Sequence, residues 1–263
     1  MSGMRDDQVN PDLGWGMGDA EREAGLAERI ASSPPGGVRY AVKAVWKTLQ
    51  GEGFWAGRAA VFVRLAGCNM WSGEAETRAR DFERTGAACA LFCDTDFRKP
   101  GSVRLNAHDL AAHVLRVAGP VRFVVLTGGE PLLQADAALV RALHAGGFAV
   151  AVETNGTQTL AGAFGPDPAD HPDWVACSPK LSDAATVIEA CDELKLVVPD
   201  YHPEAYARVA ARVRPHAVAG RLLWVQPEDG PRLAEATRLA VEIALADPRW
   251  RVSVQGHKAL GVD

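Results

Sequence analysis

Two periods of apolar positions alternate along most of the chain. Residues 59–67, AAVFVRLAG, form a β-branched apolar run and predict a buried strand. Residues 106–119, NAHDLAAHVLRVAG, change to a helical period, with Asn106 placed to cap the start and Gly119 to stop it. The alternation continues. VRFVVLTGGEP (121–131) reads as a strand entering a Gly-rich turn, DAALVRALHAGG (136–147) as a helix with a glycine exit, and FAVAVETNGT (148–157) as a strand. DWVACSPK (173–180) and DELKLVVPD (192–200) read as strands, PEAYARVAARV (203–213) as a helix, and RLLWVQPED (221–229) as a strand. PRLAEATRLAVEIALAD (231–247) predicts a long helix and WRVSVQGHK (250–258) a last strand.

Strands alternating with helices imply right-handed crossovers and a mainly parallel sheet, the α/β class. Unusual polar sequence follows nearly every strand: GCN, TGGEP, ETNGT, CSPK, QPED and QGHK. In parallel α/β proteins ligands sit at that carboxyl edge, in barrels and open sheets alike. The pattern fits either closure or an open sheet.

Residues 1–38 are rich in Gly, Asp, Glu and Pro and end in SSPPGG, which predicts a flexible leader with a short helix at AEREAGLAERIA. The ordered domain is expected over 39–263, with no repeat and no second linker. The 263 residues carry a net charge of −5, which gives no general attraction to nucleic acid or anionic membrane. No apolar run approaches a membrane span, and the first residues lack the basic-then-apolar pattern expected of a signal peptide. Five cysteines, an odd number, do not make a disulfide framework and point to a reducing, cytoplasmic setting.

Three of those cysteines, Cys68, Cys89 and Cys93, share one charged, loop-like stretch between residues 67 and 97. Three thiolates give a metal three ligands and leave a position open. A structural zinc site wants a fourth protein ligand. A 4Fe–4S cubane takes four cysteines, so three would leave one iron free. Cys177 and Cys191 read as small core residues.

A cysteine stretch after the first strand, with Phe92 directly before the last cysteine and GGEP after the next strand, resembles the radical S-adenosylmethionine (SAM) superfamily. TLQGEG (48–53), CDTDF (93–97), SPK (178–180) and the closing QGHK narrow the resemblance to the 7-carboxy-7-deazaguanine synthase family, from about residue 40 to the end. Two departures stand out. The cysteine spacing is C-x20-C-x3-C where C-x3-C-x2-C is commonest, although the family has members with a long first insertion. Gly256 stands where the closing block usually has Thr.

The resemblance implies a modified, partial (β/α) barrel of TIM type and a homodimer. It implies a radical SAM lyase that converts 6-carboxy-5,6,7,8-tetrahydropterin to 7-carboxy-7-deazaguanine with loss of ammonia, feeding 7-deazapurine pathways such as queuosine. The cofactors it implies are a 4Fe–4S cluster on Cys68, Cys89 and Cys93, SAM, and Mg2+ on Thr95, with an external, flavodoxin-like electron donor. For SAM it implies Phe92, Asp94, Gly129, Glu130, Ser178, Pro179 and Lys180, and the segment Gln226, Pro227, Glu228 and Asp229. For the pterin it implies Leu49, Gln50, Gly51, Glu52, Arg64 and Thr127, with His257 and the terminal Asp263 closing over it. Read without the resemblance, Thr95 is an ordinary turn residue and GGEP an ordinary strand-to-helix connection. Arg64, a charge inside an apolar strand, is costly unless paired. Two rivals remain: another radical SAM enzyme, such as an activase or peptide-modifying member, which would carry extra cysteines or domains, and a zinc-stabilised binding module.

Overall fold

The computed structural model describes residues 19–32 and 37–262. The first helix, α1 (Asp19–Ser32), lies inside the leader, where the sequence predicts one, and buries Leu26 and Ile30 in the main core. The chain then runs β1 (Tyr40–Leu49), β2 (Ala59–Leu65), α2 (Arg78–Thr85), β3 (Val103–Leu105), α3 (Ala107–Ala118), β4 (Phe123–Gly128), α4 (Ala137–Ala145) and β5 (Ala149–Thr154). It continues through α5 (Leu160–Phe164), β6 (Trp174–Cys177), β7 (Glu193–Val198), α6 (Ala207–Arg212), β8 (Pro215–His216), β9 (Gly220–Pro227), α7 (Leu233–Ala246), β10 (Trp250–Val252) and α8 (Gly256–Leu260).

The strands form one ten-stranded sheet in the order β10-β9-β7-β6-β5-β4-β2-β1-β3, with β8 paired to β9 off this path. Every neighbouring pair from β2 to β10 is parallel, as the alternating pattern requires. The path does not close on itself, which agrees with a partial barrel. The antiparallel β1 and β3 were not legible as strands. Lys43, Lys47 and Thr48 break the apolar run of β1, and β3 has only three residues, two of them exposed. In α3, the Asn106 side chain accepts from Asp109 N–H at 2.8 Å, the expected cap.

Alternation along each strand splits its side chains between two faces. On the outer face Val61, Val63, Leu65, Val124, Leu126, Val150, Val152, Leu194 and Leu196 pack against the helices in one large core. The inner face begins, at the amino ends of the strands, with Ala60, Phe123, Ala151, Trp174 and Leu222. Phe54 and Trp55, from the loop after β1, fill that end, with Phe54 stacked on Trp174 at 5.2 Å. An aromatic plug therefore closes the bottom of the sheet's concave face and leaves its carboxyl edge for polar groups.

One predicted element differs. The last segment is a strand only over Trp250–Val252, and QGHK starts α8 instead of extending it. β9, the strand that β10 pairs with, ends at Pro227, so the ladder stops after Ser253 N–H bonds to Val225 C=O, and Gly256 N–H turns to Gly51 C=O instead. Among the described residues no helix is long and apolar enough to cross a membrane.

Candidate functional site

The stretch between Cys68 and Cys93 is folded, contrary to its loop-like composition. It contains α2, and its Met70, Trp71, Ala87, Cys89 and Ala90 form an apolar cluster with Phe97, which follows Cys93. Trp71 meets Phe97 edge to face at 5.5 Å. Asp81, buried at the start of α2, accepts from Ser72 N–H at 2.9 Å and Thr77 Oγ1–H at 2.8 Å. These bonds, with the Ser72 N–H the largest, hold its carboxyl down at about 2. Charged residues thus form the outside of a small buttress whose inside is apolar.

Cys68, Cys89 and Cys93 are free thiols that line one cavity of about 240 Å³ at the carboxyl edge of the sheet. Cys68 leaves the end of β2, while Cys89 lies on a short 3-10 turn, where Cys93 N–H bonds to Cys89 C=O at 2.8 Å. Burial pushes the Cys68 thiol up to about 11 and raises that of Cys89. A bound metal reverses this preference, because a coordinating thiol is deprotonated outright. Among the described residues no three His, Cys, Asp or Glu side chains converge on the position of a single ion. A cubane asks that its thiolates meet at one open space, each holding a different iron, and the shared cavity provides that space.

Gly128 and Gly129 bring the β4 turn against the first cysteine. Gly128 has φ of +151°, and a Cβ there would land on the Leu65 carbonyl oxygen. A Cβ on Gly129 would lie 2.6 Å from the Cys68 Cβ. The chain exploits this closeness: Glu130 N–H donates to Gly67 C=O at 3.0 Å, and Gly67 N–H to Phe97 C=O at 2.7 Å. Glu130 itself is fully buried. Its carboxylate accepts from Thr154 Oγ1–H at 2.8 Å, Asn155 N–H at 2.7 Å and Leu132 N–H at 3.0 Å. Burial pushes it up to about 7 against those donors. The carboxylate expected to meet the SAM ammonium therefore ties the turn to the end of β5 and does not reach the cavity wall.

Of the other residues expected at the site, Glu52, Thr95, Thr127, Gly129, Ser178, Lys180 and Gln226 line the cavity. Lys180 Nζ donates to Ser178 Oγ at 2.6 Å and lies 5.4 Å from the Tyr201 ring. Of QPED, only Gln226 faces the cavity. Glu228 is bound to Arg232, and Asp229 pairs with Lys258. Pro179 and Pro227 are buried off the wall. Phe92, half-buried, and Asp94, exposed, flank Cys93 and also lie off the wall.

The TLQGEG block reaches the site partly through other residues. Leu49 ends β1. Gln50 Nε2–H donates to Glu153 Oε1 at 3.0 Å, and Glu153 lines the cavity. Gly51 accepts from Gly256 N–H at 2.8 Å, and any side chain on it would collide with His257. His257 thus lies against this block, one step back from the wall. Arg64 is half-buried, pairs across the sheet with Thr127, and lies 4.9 Å from the Trp46 ring, with its buried Nε unpartnered. Asp263 lies outside the described residues. Cys177 and Cys191 are fully buried core residues, as read.

Sequence reading missed Glu153 and Lys195, both on the wall. A signal was present: Glu193 and Lys195 alternate with leucines in ELKLVV, and one face of a buried strand can carry charge only where partners or a ligand await it. Lys195 ion-pairs with Glu52, whose Oε1 also accepts from Gln226 Nε2–H at 3.0 Å and Gln255 Nε2–H at 2.8 Å. Two strands, β7 and β9, and the segment before α8 meet at the carboxylate of Glu52.

No family model matches the chain. It is 47% identical to the 7-carboxy-7-deazaguanine synthase of Bordetella pertussis over 234 residues, covering 86% of this chain and the whole of that protein. It is 45% identical to that of Caulobacter vibrioides over the same shares. The crystal structure of QueE from Escherichia coli superposes with a TM-score of 0.59 at 28% identity, covering 83% of this chain and 95% of that one. With the fold and the three-thiol cavity, this similarity places the protein among the radical SAM enzymes. Within that class the chain belongs to the 7-carboxy-7-deazaguanine synthase family.

Proposed function

We propose that this protein is the lyase that converts 6-carboxy-5,6,7,8-tetrahydropterin to 7-carboxy-7-deazaguanine with loss of ammonia. The observation that carries the reading is the meeting of Cys68, Cys89 and Cys93 on one cavity wall with Thr95, Thr127, Ser178 and Lys180. The three thiols fit a 4Fe–4S cluster: they are free and face one space. When bound there, the cluster with SAM supplies reductive cleavage of SAM and so a hydrogen-abstracting radical.

The chain's own residues bind and orient. Gly129, Ser178, Lys180 and Gln226 form the wall beside the thiols, where SAM would lie. Phe92, Asp94, Pro179 and Pro227 support that wall from the neighbouring backbone. The Thr95 hydroxyl offers one oxygen to Mg2+, which accepts few protein ligands and takes the rest from substrate and water. The guanidinium of Arg64, with its unpartnered buried Nε, suits the pterin carboxylate. Thr127, Glu52 and the Gln50–Glu153 pair present donors and acceptors to a flat heterocycle. His257 and α8 close the entrance and exclude water, and Asp263 would follow them. We assign residues 39–263 to the catalytic domain, with a homodimer, a cytoplasmic setting and a flavodoxin-like donor as the accompanying expectations.

The test is anaerobic. Protein reconstituted with iron and sulfide receives dithionite, SAM, Mg2+ and carboxytetrahydropterin, and 7-carboxy-7-deazaguanine is sought by mass spectrometry. Product supports the reading. Formation of 5′-deoxyadenosine without product would move the substrate assignment elsewhere within the radical SAM class. Stoichiometric zinc in place of iron and sulfide would remove the reading altogether.

A further inference from the structure

The spacing C-x3-C leaves one more residue between Cys89 and Cys93 than the common form, and the structure shows what holds it. Arg78, the first residue of α2, is half-buried and aims its guanidinium back at the segment between those cysteines. Nη1–H donates to Ala90 C=O at 2.9 Å and Nη2–H to Cys93 C=O at 2.8 Å. The guanidinium also lies 4.2 Å from the centre of the Trp71 ring, and Trp71 is braced by Phe97. From the loop after β7, Tyr201 Oη accepts from Cys89 N–H at 3.2 Å. The insertion is tied to the first cysteine as well, because Arg84 Nη2–H donates to Met70 C=O at 3.2 Å.

A 3-10 turn leaves carbonyls without partners at its end. A planar fork can bridge two of them at once and fix their relative direction, which a lysine ammonium cannot do. We infer that Arg78 is a positioning residue that sets the backbone path from Cys89 to Cys93, so that the longer spacing still turns both thiols to the cavity. The inference rests on the reading of these cysteines as cluster ligands. The long insertion after Cys68 thereby gains a structural role, since it carries the arginine that braces the other two ligands.

The experiment uses full-length protein reconstituted anaerobically, as wild type, Arg78→Lys, Arg78→Ala and, as an exposed neighbour, Arg80→Ala. Iron and sulfide content, the rate of iron loss to a chelator, the electron paramagnetic resonance spectrum of the reduced cluster with and without SAM, and the melting temperature of the metal-free protein are measured. Both Arg78 variants should lose iron at least about tenfold faster and show an altered spectrum, the usual cost of removing a support behind a metal ligand. Arg80→Ala should match wild type, and metal-free Arg78→Lys should melt as wild type does. Wild-type iron retention and spectrum in Arg78→Ala would overturn the inference. So would iron loss that only follows a lowered melting temperature of the metal-free protein. If Arg78→Ala does not fold, Arg78→Lys decides on the same criteria. A full cluster in Cys89→Ala would remove the ligand reading, and this inference with it; cysteine-dependent assembly that ignores Arg78 would remove this inference alone.

Discussion

Lys195 in β7 and Glu52 in the loop after β1 form an ion pair on the cavity wall, largely shielded from solvent. Burial pushes the Glu52 carboxyl up, but the Lys195 ammonium and the hydrogen bonds from Gln255 and Gln226 outweigh it and hold Glu52 at about 2. Burial lowers Lys195, and Glu52 with the neighbouring Glu153 raises it above its ordinary range. Two charges taken out of water are tolerable here because each answers the other and further donors complete the carboxylate.

Breaking this pair from one side should therefore be expensive. Glu52→Gln leaves a buried ammonium short of its partner, and a loss of about 3–5 kcal/mol in urea unfolding is expected. Replacing Glu52 and Lys195 together by Gln and Met should cost less than Glu52→Gln alone. A double variant less stable than the single would refute the coupling.

The pair also sets an acid limit. Because Glu52 titrates lower in the folded than in the unfolded chain, its contribution is complete above about 4.5 and disappears as the pH falls through about 2. Lys195 is shifted upward, so its contribution is complete below its ordinary value and is lost only at higher pH. Unfolding free energies from pH 5 down to 2 should fall less steeply in Glu52→Gln than in wild type. Equal slopes would mean that Glu52 is not held down by the fold.

Gly128→Ala tests the close approach of the β4 turn to β2. The new methyl would meet a backbone carbonyl that cannot move aside, at a φ that only glycine adopts freely. Backbone strain alone should cost about 1–3 kcal/mol, and cluster uptake should fall because Cys68 shares this turn. Wild-type stability in the variant would show that the turn has slack.

Cys89→Ala should abolish iron–sulfur uptake, whereas Thr95→Ala should keep the cluster and weaken the Mg2+ dependence of turnover. Iron and sulfide analysis beside a Mg2+ titration separates the two roles. Full iron content in Cys89→Ala would make the ligand assignment wrong.

Lys258 pairs with Asp94 at 3.3 Å and with Asp229, joining α8 to the cysteine segment and to the end of β9. All three side chains are partly or largely exposed, so Lys258→Ala should change stability by less than about 1 kcal/mol. If α8 closes the entrance, KM for the pterin should rise while kcat changes little. A fall in kcat alone would place Lys258 in the chemistry instead.

The α/β class, the succession of parallel strands along the chain and the carboxyl edge as the site were legible because each rests on local period and on short polar segments after strands. The three thiols were legible because residue types that strand or helix formation does not explain stand out in one dimension, whereas the GGEP turn, ordinary by itself, was singled out only by its resemblance to a family motif. Tertiary structure alone decided the rest. It took Glu130 off the wall, since a carboxylate's partners can come from any strand end, here Thr154 and Asn155. It placed Lys195 and Glu153 on the wall, since a charge in a strand is functional or structural according to which face is concave. It also turned the charged stretch before Cys89 into a buttress. The distance from Arg78 to the Ala90 and Cys93 carbonyls exists only once α2 has folded back on the turn, and no local pattern in the chain encodes that meeting.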